Sequence, residues 1–313
     1  MIIKNFFISL ALFAVLLAVI LSLHLHLSIQ KELADLKTAE KIHLEMGVEV
    51  FRKETAAITR DVLFFTEAPG LRKLLDHPED RQIRDLVNQG FAAFAAAKRN
   101  YAQIRCLDEN GMEIVRVNLQ NGRAVKVPEH ELQDKSRRYY FTDTFQLDKG
   151  QIFFSPMDLN IEHGEIERPL KPMLRIGAPV FDSAGVKRGI ILFNYYGRIL
   201  LESYKDIFVH HKTDEGIGRL MGHPVVLNRN GYWLLAPKPE DAWGFMLTHK
   251  RSFSSRHPEV WAALQKQDSG QLATRRGLFT FHKVFPLGPG VISSSGAPTA
   301  FVPSKTAYGH RNC

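Results

Sequence analysis

The sequence predicts an α+β chain: an N-terminal transmembrane helix and long stalk helix, followed by two tandem modules with antiparallel sheets. Three observations carry that expectation. The run "FFISLALFAVLLAVILSL" (Phe6 to Leu23) holds no charge. Residues 28 to 66 contain no Pro and carry apolar residues at helical spacing. Three stretches, "LDENGMEIVRV", "FDSAGVKRGIILF" and "VLNRNGYWLL", repeat one plan: an apolar residue, Asp or Asn, two residues, Gly, then a strand-like run.

The apolar run is about 18 residues, or ~27 Å of helix, close to the hydrocarbon thickness of a bilayer. It ends in "LHLHLSIQ" without the small-residue site of a cleaved signal peptide, so it reads as an anchor over residues 1–27. Lys4 and the amino terminus favour a cytoplasmic start, which places the rest of the chain outside the cytoplasm. His24 and His26 are two apart on a helix and diverge, so they make poor co-ligands for a metal.

The stripe that follows runs through Ile29, Leu33, Leu36, Leu44, Val48, Phe51, Ile58, Val62 and Phe65 in steps mostly of three and four. It skips at Glu40 and Thr55, which argues against a strict coiled coil. Part of this helix is expected to dock on its own domain and the membrane-proximal part to pair with a second copy as a homodimer. "APG" (Ala68 to Gly70) ends it. "PEDRQIRDLVNQGFAAFAAAKR" opens with Pro and acids and has an Ala-rich body, the pattern of a further helix. Residues 28–100 therefore form a helical region.

The texture changes at Tyr101. "YAQIRCL" and "MEIVRVNL" flank "DENG", a hairpin signal. "SRRYYFTDTFQ" reads as a short helix capped by Ser136, "QIFFS" as a strand, and "MLRIGAPVF" with "RGIILFNYY" as two long strands, which makes residues 101–196 one module. A second round over residues 197–287 has a helix ("GRILLESYKDIF"), a hairpin, a short helix ("SRHPEVWAALQKQ") and a last hairpin. Residues 288–313 are polar, small and aperiodic, and read as a disordered tail.

The net charge of +8 raises a nucleic-acid partner, but the cations are spread along the chain and no nucleic-acid motif accompanies them. The two cysteines, Cys106 and Cys313, form neither a disulfide framework nor a metal-ligand spacing. No catalytic residue, metal site or cofactor motif is read. Glu240 and Asp241 lack a partner nucleophile, adjacent His210 and His211 are poor metal geometry, and Trp233, Trp243 and Trp261 read as core.

Taken together, "YAQIRCLDENGMEIVRVN", "DKSRRYYF", "FFSPMDLNIEHG", "KPMLRIGAPVFDSAGVKRGIILFNYYG", "VVLNRNGYWLLAPKPEDAWGFM" and "GLFTFHKVFPL" resemble the double Cache sensor domains of bacterial membrane receptors such as sensor histidine kinases and diguanylate cyclases. The resemblance covers roughly residues 28–287. It implies tandem PAS-like modules outside the cytoplasmic membrane, in the periplasm or beyond, with a small molecule held in the membrane-distal module. Such receptors continue into a last strand, a second membrane helix and an output domain. Here Leu287 is followed by "GPGVISSSGAPTAFVPSKTAYGHRNC", so a truncated or frame-shifted receptor with an incomplete second sheet is expected.

In PAS-like modules the ligand lies between the concave sheet face and the covering helix and loops. The resemblance then points to Arg137, Tyr139, Tyr140, Ser155, Asp158, Asn160 and Arg175. Arg suits a carboxylate, Tyr offers an apolar face with a hydroxyl, and Asp suits an amine. "RRYY" matches the Arg-x-Trp-Tyr pattern of amino-acid-binding members at Arg137 and Tyr140 but has Tyr139 in place of Trp. Arg175 sits among apolar strand residues, where a buried Arg needs a partner; a structural ion pair with Asp158 or Glu113 is the other reading of it. A membrane-anchored module that binds a partner protein and no small ligand is the alternative function.

Overall fold

The computed structural model describes residues 2–162, 164–182, 184–210, 222–284, 292–293 and 305–309. Residues 1–43 form one unit and 44–313 another. The helices are α1 (Ile2–Thr66), α2 (Pro69–Asp76), α3 (Arg81–Lys98), α4 (Tyr139–Phe145), α5 (Gly197–His210), α6 (Phe253–Arg256) and α7 (Pro258–Lys266). The strands of the first module are β1 (Tyr101–Asp108), β2 (Glu113–Gln120), β3 (Arg123–Lys126), β4 (Phe153–Phe154), β5 (Asp158–Leu159), β6 (Ile161–Glu162), β7 (Glu165–Ile166), β8 (Pro172–Phe181) and β9 (Lys187–Tyr196). Those after it are β10 (Val226–Leu227), β11 (Trp233–Leu235), β12 (Ser269–Thr274), β13 (Gly277–Lys283), β14 (Ile292–Ser293) and β15 (Lys305–Gly309).

Within the first unit the apolar run is exposed along its length, as expected of a segment whose solvent is lipid. In the second unit the remainder of α1 buries Leu44, Val48, Phe51, Thr55, Ile58, Val62 and Phe65, alternating steps of four and three. The stripe therefore does not break at Thr55. Its hydroxyl donates to Phe51 O at 2.7 Å, so a polar side chain occupies a core position with its hydrogen bond made inside the helix. α3 is capped by Asp80, which accepts from the amides of Gln82 and Ile83 at 2.9 and 3.2 Å. α4 starts later than expected. Its N-cap is Arg138, and Ser136 instead gives its amide to Asp134 in the preceding turn.

The first sheet runs β14-β4-β8-β9-β1-β2-β3, with β5 also pairing β8. All its pairings are antiparallel except β14 with β4. On one face β9 sends Ile191, Phe193 and Tyr195 into a core shared with Phe65, Phe91 and Tyr101. On the other face Ile190 and Leu192 pack with Leu107, Tyr140, Phe141, Leu147 and Phe153. A strand covered on both faces reads as a continuous apolar run, as "GIILF" does. The second sheet runs β11-β10-β15-β13-β12. The incomplete second sheet expected from the sequence is not what forms: β15 lies between β10 and β13 and satisfies backbone groups that would otherwise be an open edge. The disordered tail expected over 288–313 is described only at β14 and β15, and the rest of it, with Cys313, lies outside the described residues. His211 and the side chain of His210 do so as well.

The repeated plan is one turn built three times. Asp108, Asp182 and Asn228 each accept two backbone amides through one side-chain oxygen, from the residues two and four positions on, at 2.8–3.0 Å. Gly111, Gly185 and Gly231 follow at φ +83°, +79° and +80°, a region that L residues avoid. Each turn closes an antiparallel pair: β1–β2, β8–β9 and β10–β11.

In the second module Trp233 and Trp243 are buried and Trp261 is half-buried. Asp241 is buried and ion-paired. It accepts from Arg256 at 2.5 Å and Arg251 at 3.0 Å, and Arg256 lies 5.1 Å from the Trp233 ring centre. Arg256 first, and Arg251 with it, hold the Asp241 carboxyl below the usual carboxylate range.

Two outcomes follow for unfolding of the full chain in detergent by urea. A Cβ at Gly185 meets open space, whereas at Gly111 it lies 2.5 Å from Ser136 Cα. Gly185→Ala is expected to cost about 1 kcal/mol through φ alone, and Gly111→Ala clearly more. Asp241→Asn is expected to cost about 2 kcal/mol at pH 7, discounted because both arginines are half-exposed. The unfolded state binds the Asp241 proton first, so this stability is complete above the ordinary Asp value of about 3.9 and is lost as pH falls through the lower folded value. The asparagine variant should flatten that acid limb, read by tryptophan fluorescence.

Candidate ligand-binding site

Register sets the site. Across three strand pairs Arg175 lies opposite Asn194, Asn194 opposite Gln103, and Gln103 opposite Asn118, so one polar row crosses the face that α4 covers. Arg175 Nη1 donates to Asp158 at 2.6 Å, which selects Asp158 over Glu113 as its partner. Ser155 Oγ accepts the Arg175 amide at 2.9 Å and donates to Pro156 O at 2.8 Å, fixing the strand end beside Asp158. The Tyr140 ring has Arg105 at 5.4 Å and Arg175 at 5.9 Å from its centre, both within cation–π range. Tyr139 packs edge-on against Tyr140 and Phe153 and is near enough to feel the charges of Arg175 and Asp158. Burial pushes the Asp158 carboxyl above the usual range, against the pull of Arg175.

Five of the seven sequence candidates, Tyr139, Tyr140, Ser155, Asp158 and Arg175, therefore meet. Two do not join them. Arg137 is exposed in the turn before α4. Asn160 lies beyond the short β5 and donates to Glu162 at 3.1 Å and Glu167 at 3.0 Å beside the β6–β7 hairpin.

Sequence reasoning missed a second layer. Arg105 is buried, donates to Asn194 at 2.9 Å, and contacts Glu113 at 3.3 Å. Asn194 in turn donates to Gln103 at 3.0 Å. Glu113, also buried, takes Arg116 at 2.9 Å and the Gln133 amide at 3.1 Å. The signal was present: Gln103 and Arg105 in "YAQIRCL" and Asn194 in "IILFNYY" break apolar strands as Arg175 does. Three guanidiniums, of Arg105, Arg116 and Arg175, face two carboxylates, Glu113 and Asp158. Among these five groups the guanidiniums outnumber the carboxylates by one. Among the described residues no cluster fit for a metal ion occurs.

The two carboxylates should behave differently on substitution. Glu113→Gln leaves two guanidiniums without a counter-charge and is expected to cost about 3–5 kcal/mol. Asp158→Asn leaves one guanidinium, that of Arg175, without its counter-charge, but Asp158 is a quarter exposed and its ionised form is disfavoured by burial, so the cost should be smaller, about 1–2 kcal/mol. Urea midpoints of the two variants give the comparison.

The fold has close structural counterparts. The extracellular domain of a chain assigned as a histidine kinase superposes with a TM-score of 0.71 at 21% identity, covering 88% of this chain and 91% of that one. A domain of a Vibrio parahaemolyticus protein assigned to the sensory box/GGDEF family gives 0.71 at 19%, covering 88% and 97%. The ligand-binding domain of a Campylobacter jejuni chemoreceptor, solved with L-norvaline, gives 0.55 at 10%, covering 89% and 91%. That of a Pseudomonas aeruginosa amino acid chemoreceptor, solved with GABA, gives 0.51 at 15%, covering 88% and 100%. No curated protein sequence is significantly similar. At these identities the superpositions speak for the fold. The family model for the bacterial histidine kinase sensor domain matches residues 65–288, which takes in α2 to α7 and strands β1 to β13, and the chain belongs to that family.

Proposed function

We propose that this chain is the extracytoplasmic ligand-sensing part of a transmembrane signalling receptor, and that it binds a small carboxylate-bearing molecule on the α4 face of the first sheet. The observation that carries the reading is the surplus guanidinium charge on that face beside Tyr139 and Tyr140. An amino acid fits the arrangement: its carboxylate would take Arg175 and its ammonium Asp158, exchanging the internal ion pair for two external ones. The two chemoreceptor domains of similar fold were solved with GABA and L-norvaline, each of which carries both groups.

In this reading residues 6–23 anchor the chain in the bacterial inner membrane, with the sensor in the periplasm or outside the cell. The membrane-proximal part of α1 pairs two copies. Adjacent residues of β9 link site to helix: Asn194 faces the polar row, and the Tyr195 hydroxyl donates to Glu54 of α1 at 3.1 Å. On β1 the Tyr101 hydroxyl donates to Asp61 of α1 at 2.6 Å. A ligand that binds one placement of β9 better than another would bias α1 by that difference in affinity.

The test is thermal unfolding of the full chain in detergent against amino acids, small carboxylates, amines and sugars. A ligand at a hundred times its Kd stabilises by about 2.7 kcal/mol, a shift of several degrees. Amino acids or carboxylates are expected to give a saturable shift that Arg175→Met abolishes. A folded protein that responds to none of the panel would instead support a partner protein as the signal.

A further inference from the structure

The α4 face and the second module meet at β5. That strand is two residues long, and one of them is Asp158, the partner of Arg175. In an antiparallel pair the amides of successive residues point to opposite edges. The Asn160 amide donates to Lys171 O at 2.8 Å, so the amide of Leu159, one residue earlier and opposite Pro172, points away from β8. Leu159 is fully buried, and a buried amide without an acceptor is costly. Its acceptor comes from the second module: Met246 Sδ lies 3.1 Å away.

Met246 is itself firmly placed. Its amide donates to Trp243 O at 2.9 Å, and the Trp243 amide donates to Trp233 O of β11 at 2.8 Å. The residue on the other side of Asp158 is held by the same module. Met157 is buried, and a Cβ at Gly197, the first residue of α5, would lie 2.9 Å from the Met157 sulfur. Asp158 therefore stands between two residues seated on the second module, with its own carboxylate on Arg175. A thioether is a weak acceptor on an adaptable side chain. Such a contact holds β5 in one place and yields when Asp158 changes partner.

We propose that Met246 is a positioning residue for the α4-face site, through which the second module fixes Asp158 and registers the exchange of its ion pair. The proposal rests on the reading of that face as a ligand site. It gives the site a second route outward, besides the one through β9 to α1. Coupling of this kind is reciprocal, so a change at either end is felt at the other.

The chain's three tryptophans, Trp233, Trp243 and Trp261, all lie in the second module, so tryptophan emission reports that module alone. Asp158→Asn perturbs the ion pair with no ligand added, and is expected to change the tryptophan emission of the folded full chain in detergent. Met246→Leu keeps the side-chain volume and removes the acceptor. In that background Asp158→Asn should leave the emission unmoved. Met246→Gln supplies an acceptor oxygen at similar reach and should restore the response, which a purely structural role for Met246 would not do. Hydrogen exchange reads the contact itself. The Leu159 amide should exchange at least about fivefold faster in Met246→Leu, the worth of one modest hydrogen bond, and return toward the wild-type rate in Met246→Gln. Three results would each overturn the proposal: emission unmoved by Asp158→Asn in the wild-type background, the same emission change with and without Met246, or a Leu159 amide indifferent to Met246→Leu. None of these measurements uses a ligand. Emission that responds through Met246 in a protein that binds none of the amino acids or carboxylates would uphold the coupling and remove the ligand reading alone.

Discussion

Burial of β8 and β9 on both faces forces every polar side chain they carry to find a partner inside the protein. On one face the rings of Phe65, Phe91, Tyr101 and Phe193 fill the space below the helices; on the other, Tyr140, Phe141 and Phe153 fill the space below α4. Fully burying one such ring stabilises by about 1.5–3 kcal/mol, and an unpaired polar group among them would cancel a comparable amount. Asn194 and Arg175 persist there because each is matched, to Gln103 and to Asp158, and Arg105 of the neighbouring β1 reaches Glu113 and Asn194.

Those matches also separate structural charge from exchangeable charge. Glu113 is enclosed, answers two arginines and takes a backbone amide, so it holds strand β2 against β1 and the loop at Gln133. Asp158 is a quarter exposed at the end of a two-residue strand and answers one arginine. In the proposed function a small ligand replaces the second pair without opening the core, and leaves the first in place. The same sheet then joins this face to α1 through Tyr195 and Tyr101, whose hydroxyls reach carboxylates of the helix; burial first, and those carboxylates next, push both phenols well above their ordinary range.

The fold was legible to the extent that it is written in period and in turn chemistry. The stripe from Leu44 to Phe65 has period 3.5, the long strands are continuous apolar runs, and each Asp/Asn-x-x-Gly sequence makes one turn with the same bonds. Thr55 was misjudged because hydropathy cannot see that a hydroxyl is satisfied within its own helix turn. Ser136 does not cap α4 because it sits in the preceding turn, closed by the Arg138 amide donating to Lys135 O, and the helix begins only after Arg138. The strand Lys305–Gly309 was not visible in a polar stretch, since its place is set by the vacant position between β10 and β13, not by its own residues.

For the site, the sequence by itself determined which residue types were available: an arginine in an apolar strand, a tyrosine pair opening a helix, an Asp and a Ser beside Pro156. What only the tertiary structure decided was their company. Arg175 meets Asp158 and not Glu113, Arg137 stays outside, and Gln103, Arg105 and Asn194 join across strands some ninety positions apart. The reason is that strand register is a long-range property. A polar residue in a strand announces that it needs a partner, but which one it gets is fixed by the pairing of strands that local sequence does not encode.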